Sequence, residues 1–89
     1  MKVFEFSSPF KTKHVWYFVY DDNNIFEYRN ARLGIERYCD GIEKFKEYMF
    51  SILWDGVWTV TNISDDLDIH FQHIAEDITN KIEGWRAKQ

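Results

Sequence analysis

The chain has one cysteine, one proline and four glycines among 89 residues, and its longest apolar run, Val15 to Tyr20, is six residues long. Each scarcity excludes something. The lone thiol of Cys39 closes no intramolecular disulfide, so a domain this small must be held by its core, which suits a reducing compartment. Six apolar residues fall far short of the roughly 20 that a membrane-spanning helix requires. Residues 1–8 alternate Phe4 and Phe6 with Lys2 and Glu5, whereas a secretory leader needs an unbroken apolar stretch. The expectation is a soluble, cytoplasmic protein. Asn62-Ile63-Ser64 fits the glycosylation pattern, which carries meaning only in a secreted context. Gly34, Gly41, Gly56 and Gly84 are scattered and form neither a P-loop nor a dinucleotide fingerprint, so no phosphate-bearing cofactor is indicated.

The second half of the chain lacks positive charge. From Glu47 through Asn80 there is no lysine or arginine, while Glu47, Asp55, Asp65, Asp66, Asp68, Glu76 and Asp77 all fall there. The chain as a whole carries a formal charge of −4. A field of one sign repels a phosphate backbone and accelerates encounter with a cationic surface, so direct nucleic-acid binding through this half is disfavoured. Asp65, Asp66 and Asp68 also follow Ser64 where a helix can begin, and carboxylates in a first helical turn contribute about 0.3–1 kcal/mol each. Helix capping accounts for three of the seven acids and leaves the missing lysines and arginines unexplained.

Aromatic residues are abundant, with Trp 4, Tyr 5 and Phe 8. That is ample material for one folded domain spanning residues 1–89, since domains run to roughly 100–200 residues. A domain near this size buries only about 60–65% of its unfolded surface, so some rings are expected at the surface. Trp54 and Trp58 flank Asp55-Gly56 at a helix-to-strand junction and are candidate binding anchors, because indoles bury large areas through few rotatable bonds.

Periodicity gives the fold class. Lys2 to Ser7 alternates as a short strand, and Pro9 stops it. His14 to Tyr20 and Ile25 to Arg29 read as a hairpin around Asp21-Asp22-Asn23-Asn24. Both faces of its first arm are apolar, Val15, Tyr17 and Val19 on one and Trp16, Phe18 and Tyr20 on the other. The second face therefore needs cover from another element, a copy of the chain or a partner. From Asn30 the period shifts to about 3.6, with Ile35, Tyr38, Ile42, Phe45, Met49 and Ile52 on one helical stripe and Asn30 as its cap. Val57 to Thr61 supplies a further strand. Leu67, Phe71, Ile74, Ile78, Ile82 and Trp85 then form a second stripe capped by Ser64. The order β-β-β-α-β-α predicts an α+β domain, an antiparallel sheet of three or four strands with two long amphipathic helices on one face.

Candidate chemistry is sparse. Asp66, His70, His73 and Asp77, spaced 4, 3 and 4, fall along one line of the second helix, and such side chains can ligate zinc. A single helix presents only two or three of them to one ion, and no metal or other cofactor is expected. Cys39 sits beside the first apolar stripe and reads as a packing residue, since buried thiols are inert. Arg29, Arg32, Arg37, Lys44 and Lys46 interleave with Tyr28, Tyr38 and Phe45, but Glu27, Glu36, Asp40, Glu43 and Glu47 neutralise that stretch as a single-strand binder. The sequence therefore points away from an enzyme. It suggests a small acidic inhibitor or regulator whose partner is a basic protein such as a nuclease or nucleic-acid-binding enzyme. Immunity proteins, antitoxins and phage-encoded inhibitors of host or CRISPR machinery share this size and charge. Its expected contact residues are Trp54, Asp55, Trp58, Asp65, Asp66, Asp68, Glu76 and Asp77. The alternative is a homodimeric domain that binds a small ligand or metal, paired through the second face of the hairpin.

Overall fold

The computed structural model describes residues 1–8, 15–53 and 58–89. Five strands and three helices occur in them: β1 (Lys2–Ser7), β2 (Val15–Asp21), β3 (Asn24–Arg29), β4 (Arg32–Tyr38), α1 (Ile42–Leu53), β5 (Thr59–Ser64), α2 (Leu67–His70) and α3 (Gln72–Ala87). The class is α+β, with one antiparallel sheet in the order β4-β3-β2-β1-β5. The first four strands form a meander. After β4, α1 carries the chain across the sheet, and β5 pairs with β1 at the far edge.

The alternation in β2 dictates the layering. Register places Val19 between Val3 and Phe26, and Phe18 between Phe4 and Glu27. Val3, Tyr17, Val19, Phe26 and Tyr28 thus share one face, where Leu67, Phe71, Ile74, Ile78 and Ile82 of the second stripe close over them. Phe6, Phe18 and Ile25 share the other, under Phe45 and Met49 of α1 and Cys39. Phe6, Phe18, Phe26, Phe45 and Phe71 are completely buried, and each such ring removed from water contributes about 1.5–3 kcal/mol. Two helices on a single face, the arrangement expected from sequence, would leave Trp16, Phe18 and Tyr20 or Tyr17 and Val19 in water. The structure instead puts α1 and α3 on opposite faces. The second face of the hairpin is covered within the chain, by Phe45 and Met49 of α1.

A second departure is the stretch from Asn30 to Tyr38. It forms the outer strand β4, so the sheet has five strands and the first helix begins only at Ile42. Asn30 is not a helix cap. Asn30 and Ala31, at φ 54° and 59°, are the two central residues of a tight hairpin, as are Asp22 and Asn23 at φ 53° and 66°. Positive φ at both central positions matches the twist of the flanking strands. Ile35 and Tyr38, which the helical stripe would have buried, are 43% and 65% exposed. Gly41, at φ +91°, turns the chain from β4 into α1.

The second stripe is buried as its spacing requires, but on two helices. Phe71, at φ −128° and ψ 40°, ends α2 and precedes α3. Ser64 belongs to β5, where its hydroxyl accepts from the Asp66 amide at 2.9 Å. The cap of α2 is Asp66, whose carboxylate accepts from the Ile69 amide at 3.1 Å.

Ala31 is the residue least suited to its backbone, because a left-handed conformation costs an L-residue with a Cβ roughly 1–2 kcal/mol. Its carbonyl also accepts from Lys81 Nζ at 2.6 Å, which ties the turn to α3 and which glycine preserves. Ala31→Gly adds about 0.4–1 kcal/mol of unfolded-chain entropy in opposition. The variant is expected to melt a few degrees higher. An unchanged or lower midpoint in a calorimetric scan would show that the turn carries no such strain.

Candidate functional site

Two stretches concentrate polar and charged side chains. The first runs from the end of β5 into α2. Asp65 is exposed and lies 3.2 Å from Lys2 Nζ. Asp66 is exposed but holds the cap, and Asp68 is exposed in the first turn of α2. Ile63 and Ile69, at 50% and 65% exposed, flank these acids. Within seven residues the surface therefore presents two large apolar side chains and three carboxylates, with Lys2 the cation paired to Asp65.

The remaining expected contact residues are not gathered there. Trp58 stands at the start of β5, seven residues from Asp65, which at about 3.3 Å per strand residue is some 20 Å away. It is half-buried and meets Trp16 edge-on at 5.1 Å. The Arg29 guanidinium lies over both indoles, 5.2 and 5.5 Å from their centroids, a cation–π arrangement. Trp54 and Asp55 lie outside the described residues. Glu76 is exposed on α3. Asp77, one residue on, faces the sheet and accepts from Tyr28 Oη at 2.5 Å and Lys81 Nζ at 2.7 Å.

That network explains the line of acids and histidines seen in the sequence. Tyr17 and Tyr28, on neighbouring strands, send their hydroxyls to His73 Nε2 at 3.1 Å and to Asp77. His73 and Asp77 are one helical turn apart and so meet adjacent sheet tyrosines. Lys81 and Tyr28 hold the Asp77 carboxyl below its ordinary value of 3.8. Burial first, then Asp77, pushes the Tyr28 phenol up to about 12. Among the described residues no group of three or more His, Cys, Asp or Glu side chains converges as a metal site. Asp66 caps a helix, His70 is exposed and the other two serve the tyrosines. Cys39 is buried beside Ile25 and Phe45, and burial pushes its thiol up, as a packing cysteine requires.

The second polar stretch gathers charged residues that the sequence offered only as a neutralised basic and aromatic run. An open depression of about 690 Å³ on β3 and β4 is lined by residues that include Glu27, Arg29, Arg32 and Glu36, with Gly34 among them. Tyr48 of α1 donates to Glu36 at 2.6 Å. Glu27 is half-buried, and its carboxyl lies above the ordinary 4.5 because of desolvation first and then its hydrogen bond and like charge with Glu36. The buried Trp16 indole N–H reaches no acceptor at hydrogen-bond geometry, yet it is near enough to Glu27 to favour the charged form slightly. These acids are nine residues apart in sequence, and only the pairing of β3 with β4 joins them. No signal short of a correct strand assignment for Arg32 to Tyr38 could have found this pair.

Comparison with models of protein families, with curated proteins and with solved structures gives no match for this chain. No helix among the described residues is long and apolar enough to cross a membrane.

The sign of the Glu27 effect is fixed by its shift. A carboxyl whose folded value is raised is stabilising while protonated, below about 4.5, and that contribution is lost as pH rises through the folded value. At neutral pH the desolvated charge beside Glu36 is a burden. Glu27→Gln should therefore raise the melting temperature at pH 7, with the gain shrinking to nothing below pH 4.5. A gain independent of pH would mean that shape, not charge, distinguishes the two side chains.

Proposed function

We propose that this protein is a small protein-binding domain, an inhibitor or regulator that engages a basic partner through the surface joining β5 to α2. The observation that carries the reading is the pairing of exposed Ile63 and Ile69 with exposed Asp65 and Asp68 on one continuous stretch. Apolar side chains that can be desolvated, flanked by an excess of carboxylates over the single Lys2 ammonium, are the composition of a binding surface: the first supply affinity, the second steers encounter and selects a cationic partner. A nuclease or another nucleic-acid-binding enzyme fits that description, since such proteins carry the basic surfaces that meet phosphate. By blocking that surface the acidic domain would occupy the place of nucleic acid.

Asp66 and Asp77 take little part in this reading, because one is engaged as a helix cap and the other in the Tyr28 and Lys81 network. Trp58 belongs to the opposite end of β5 and steadies Arg29. Among the described residues the proposed contact centres on Asp65, Asp68, Ile63 and Ile69.

The test is capture from lysate of the native host by the tagged full chain and by its Asp65→Lys/Asp68→Lys variant, which keeps the Asp66 cap. The expected outcome is a basic protein retained at low salt by the parent, released as salt is raised, and held at least about tenfold more weakly by the variant, since each rim charge acts mainly on encounter and salt dependence. Retention that ignores both salt and charge reversal would remove the acidic surface from the mechanism.

A further inference from the structure

The two edges of the sheet are built differently. β4 carries Arg32, Glu36 and Arg37, charged side chains of the kind that discourage pairing with another strand. β5 carries no charge from Thr59 to Ser64, and four of its six residues are β-branched. It pairs with β1 alone, and no described strand lies on its outer side. The Thr59 and Thr61 hydroxyls turn back to β1, to the Ser7 carbonyl at 3.4 Å, the Glu5 carbonyl at 3.3 Å and the Glu5 carboxylate at 2.9 Å. Among the described residues no strand pairs with the main chain of β5 on the side away from β1. At the end of β5 stand Asp65 and Asp68.

We infer that β5 is a docking edge, at which an extended basic segment of the partner adds as a sixth strand. Its main chain would pair with β5, and its lysines or arginines would meet Asp65 and Asp68. The inference rests on the function proposed above and supplies its binding mode. Strand addition draws affinity from main-chain hydrogen bonds and specificity from alternate side chains, here the exposed Ile63 and the flanking carboxylates.

Two observations select a basic segment over a second copy of the chain. Val60 and Asn62 oppose the consecutive residues Phe6 and Glu5, so Thr61 is an extra residue, a bulge in the middle of β5. Two copies related by a two-fold axis would have to align two such bulges in one ladder, whereas a flexible segment can follow the bend. Each copy also carries a net charge of −4, with three carboxylates at the end of this edge. Like charge opposes self-pairing and favours a cationic strand.

The probe is an acetylated, amidated octapeptide of alternating lysine and valine, titrated into the isotope-labelled full chain and followed by NMR. The control is the same peptide N-methylated at every residue, which keeps the charge and removes the donors. Expected are shifts and intermolecular amide contacts concentrated on Thr59 to Ser64, with binding at least about tenfold weaker for the methylated peptide, because several main-chain hydrogen bonds are lost. Asp65→Lys/Asp68→Lys should weaken binding as well. The peptide control leaves the protein unaltered, so it stands even where the variant fails to fold. Binding that methylation spares but charge reversal weakens overturns strand addition and leaves the acidic-surface function in place. Binding indifferent to both, or none at millimolar peptide, overturns the two together. A species of twice 10.9 kDa with β5 amides already protected in the absence of peptide assigns the edge to a second copy and overturns the inference.

Discussion

The structure depends on the double-sided apolar character of β2. Tyr17, Phe18 and Val19 are consecutive and all buried, which a strand achieves only when both of its faces are covered. β2 must then be central, and β1 and β3 on its two sides repeat the requirement through Val3 and Phe6, and Ile25 and Phe26. One helix cannot cover two faces. The chain answers with α1 on one and the α2–α3 pair on the other, and the two cores are separated by a single layer of main chain.

Polar groups near the core are arranged to be satisfied. Tyr17 and Tyr28 rise from the sheet toward α3 and need partners for their hydroxyls, and His73 and Asp77 supply them at a one-turn spacing. Lys81 completes the set by bridging Asp77 and the carbonyl of the second hairpin turn. Helix and meander are thereby fixed in register by a small charged network. On the other face, Tyr48 plays a similar part toward Glu36, but there half-buried Glu27 lies beside a second carboxyl, and desolvation and like charge outweigh the nearby Arg29 guanidinium. The acidic run at the start of α2 is different again: Asp66 caps the helix, Asp65 pairs with Lys2 at the surface, and Asp68 is exposed.

Much of the fold was legible in the amino-acid order. β1, the first hairpin and the stripe from Leu67 to Trp85 follow directly from periods of two and about 3.6. The fourth strand did not, for a physical reason: an edge strand buries little, so Arg32 to Tyr38 contains few apolar residues, and Ile35 and Tyr38 happen to fall seven and four residues before Ile42, on the stripe of the helix that follows. Asn30-Ala31 also lacks the glycine that announces a tight hairpin, since the turn accepts alanine in a strained conformation. Of the candidate site, Asp65 and Asp68 could be named from charge pattern alone. Ile63 and Ile69 could not, because whether an isoleucine faces core or water depends on the strand register and on the helix break at Phe71.

The sequence by itself determined the class of the domain, the amphipathic stripes, the central hairpin and the absence of lysine and arginine between Glu47 and Asn80. Those are properties of residue type and local spacing, and local energetics suffice to express them. Tertiary structure alone decided that the helices take opposite faces, that Glu27 meets Glu36, that His73 and Asp77 serve tyrosines, and that β5 ends the sheet uncharged. Each of these depends on which strands lie side by side, and strand order is set by burying two faces at once, a condition that no local segment can satisfy on its own.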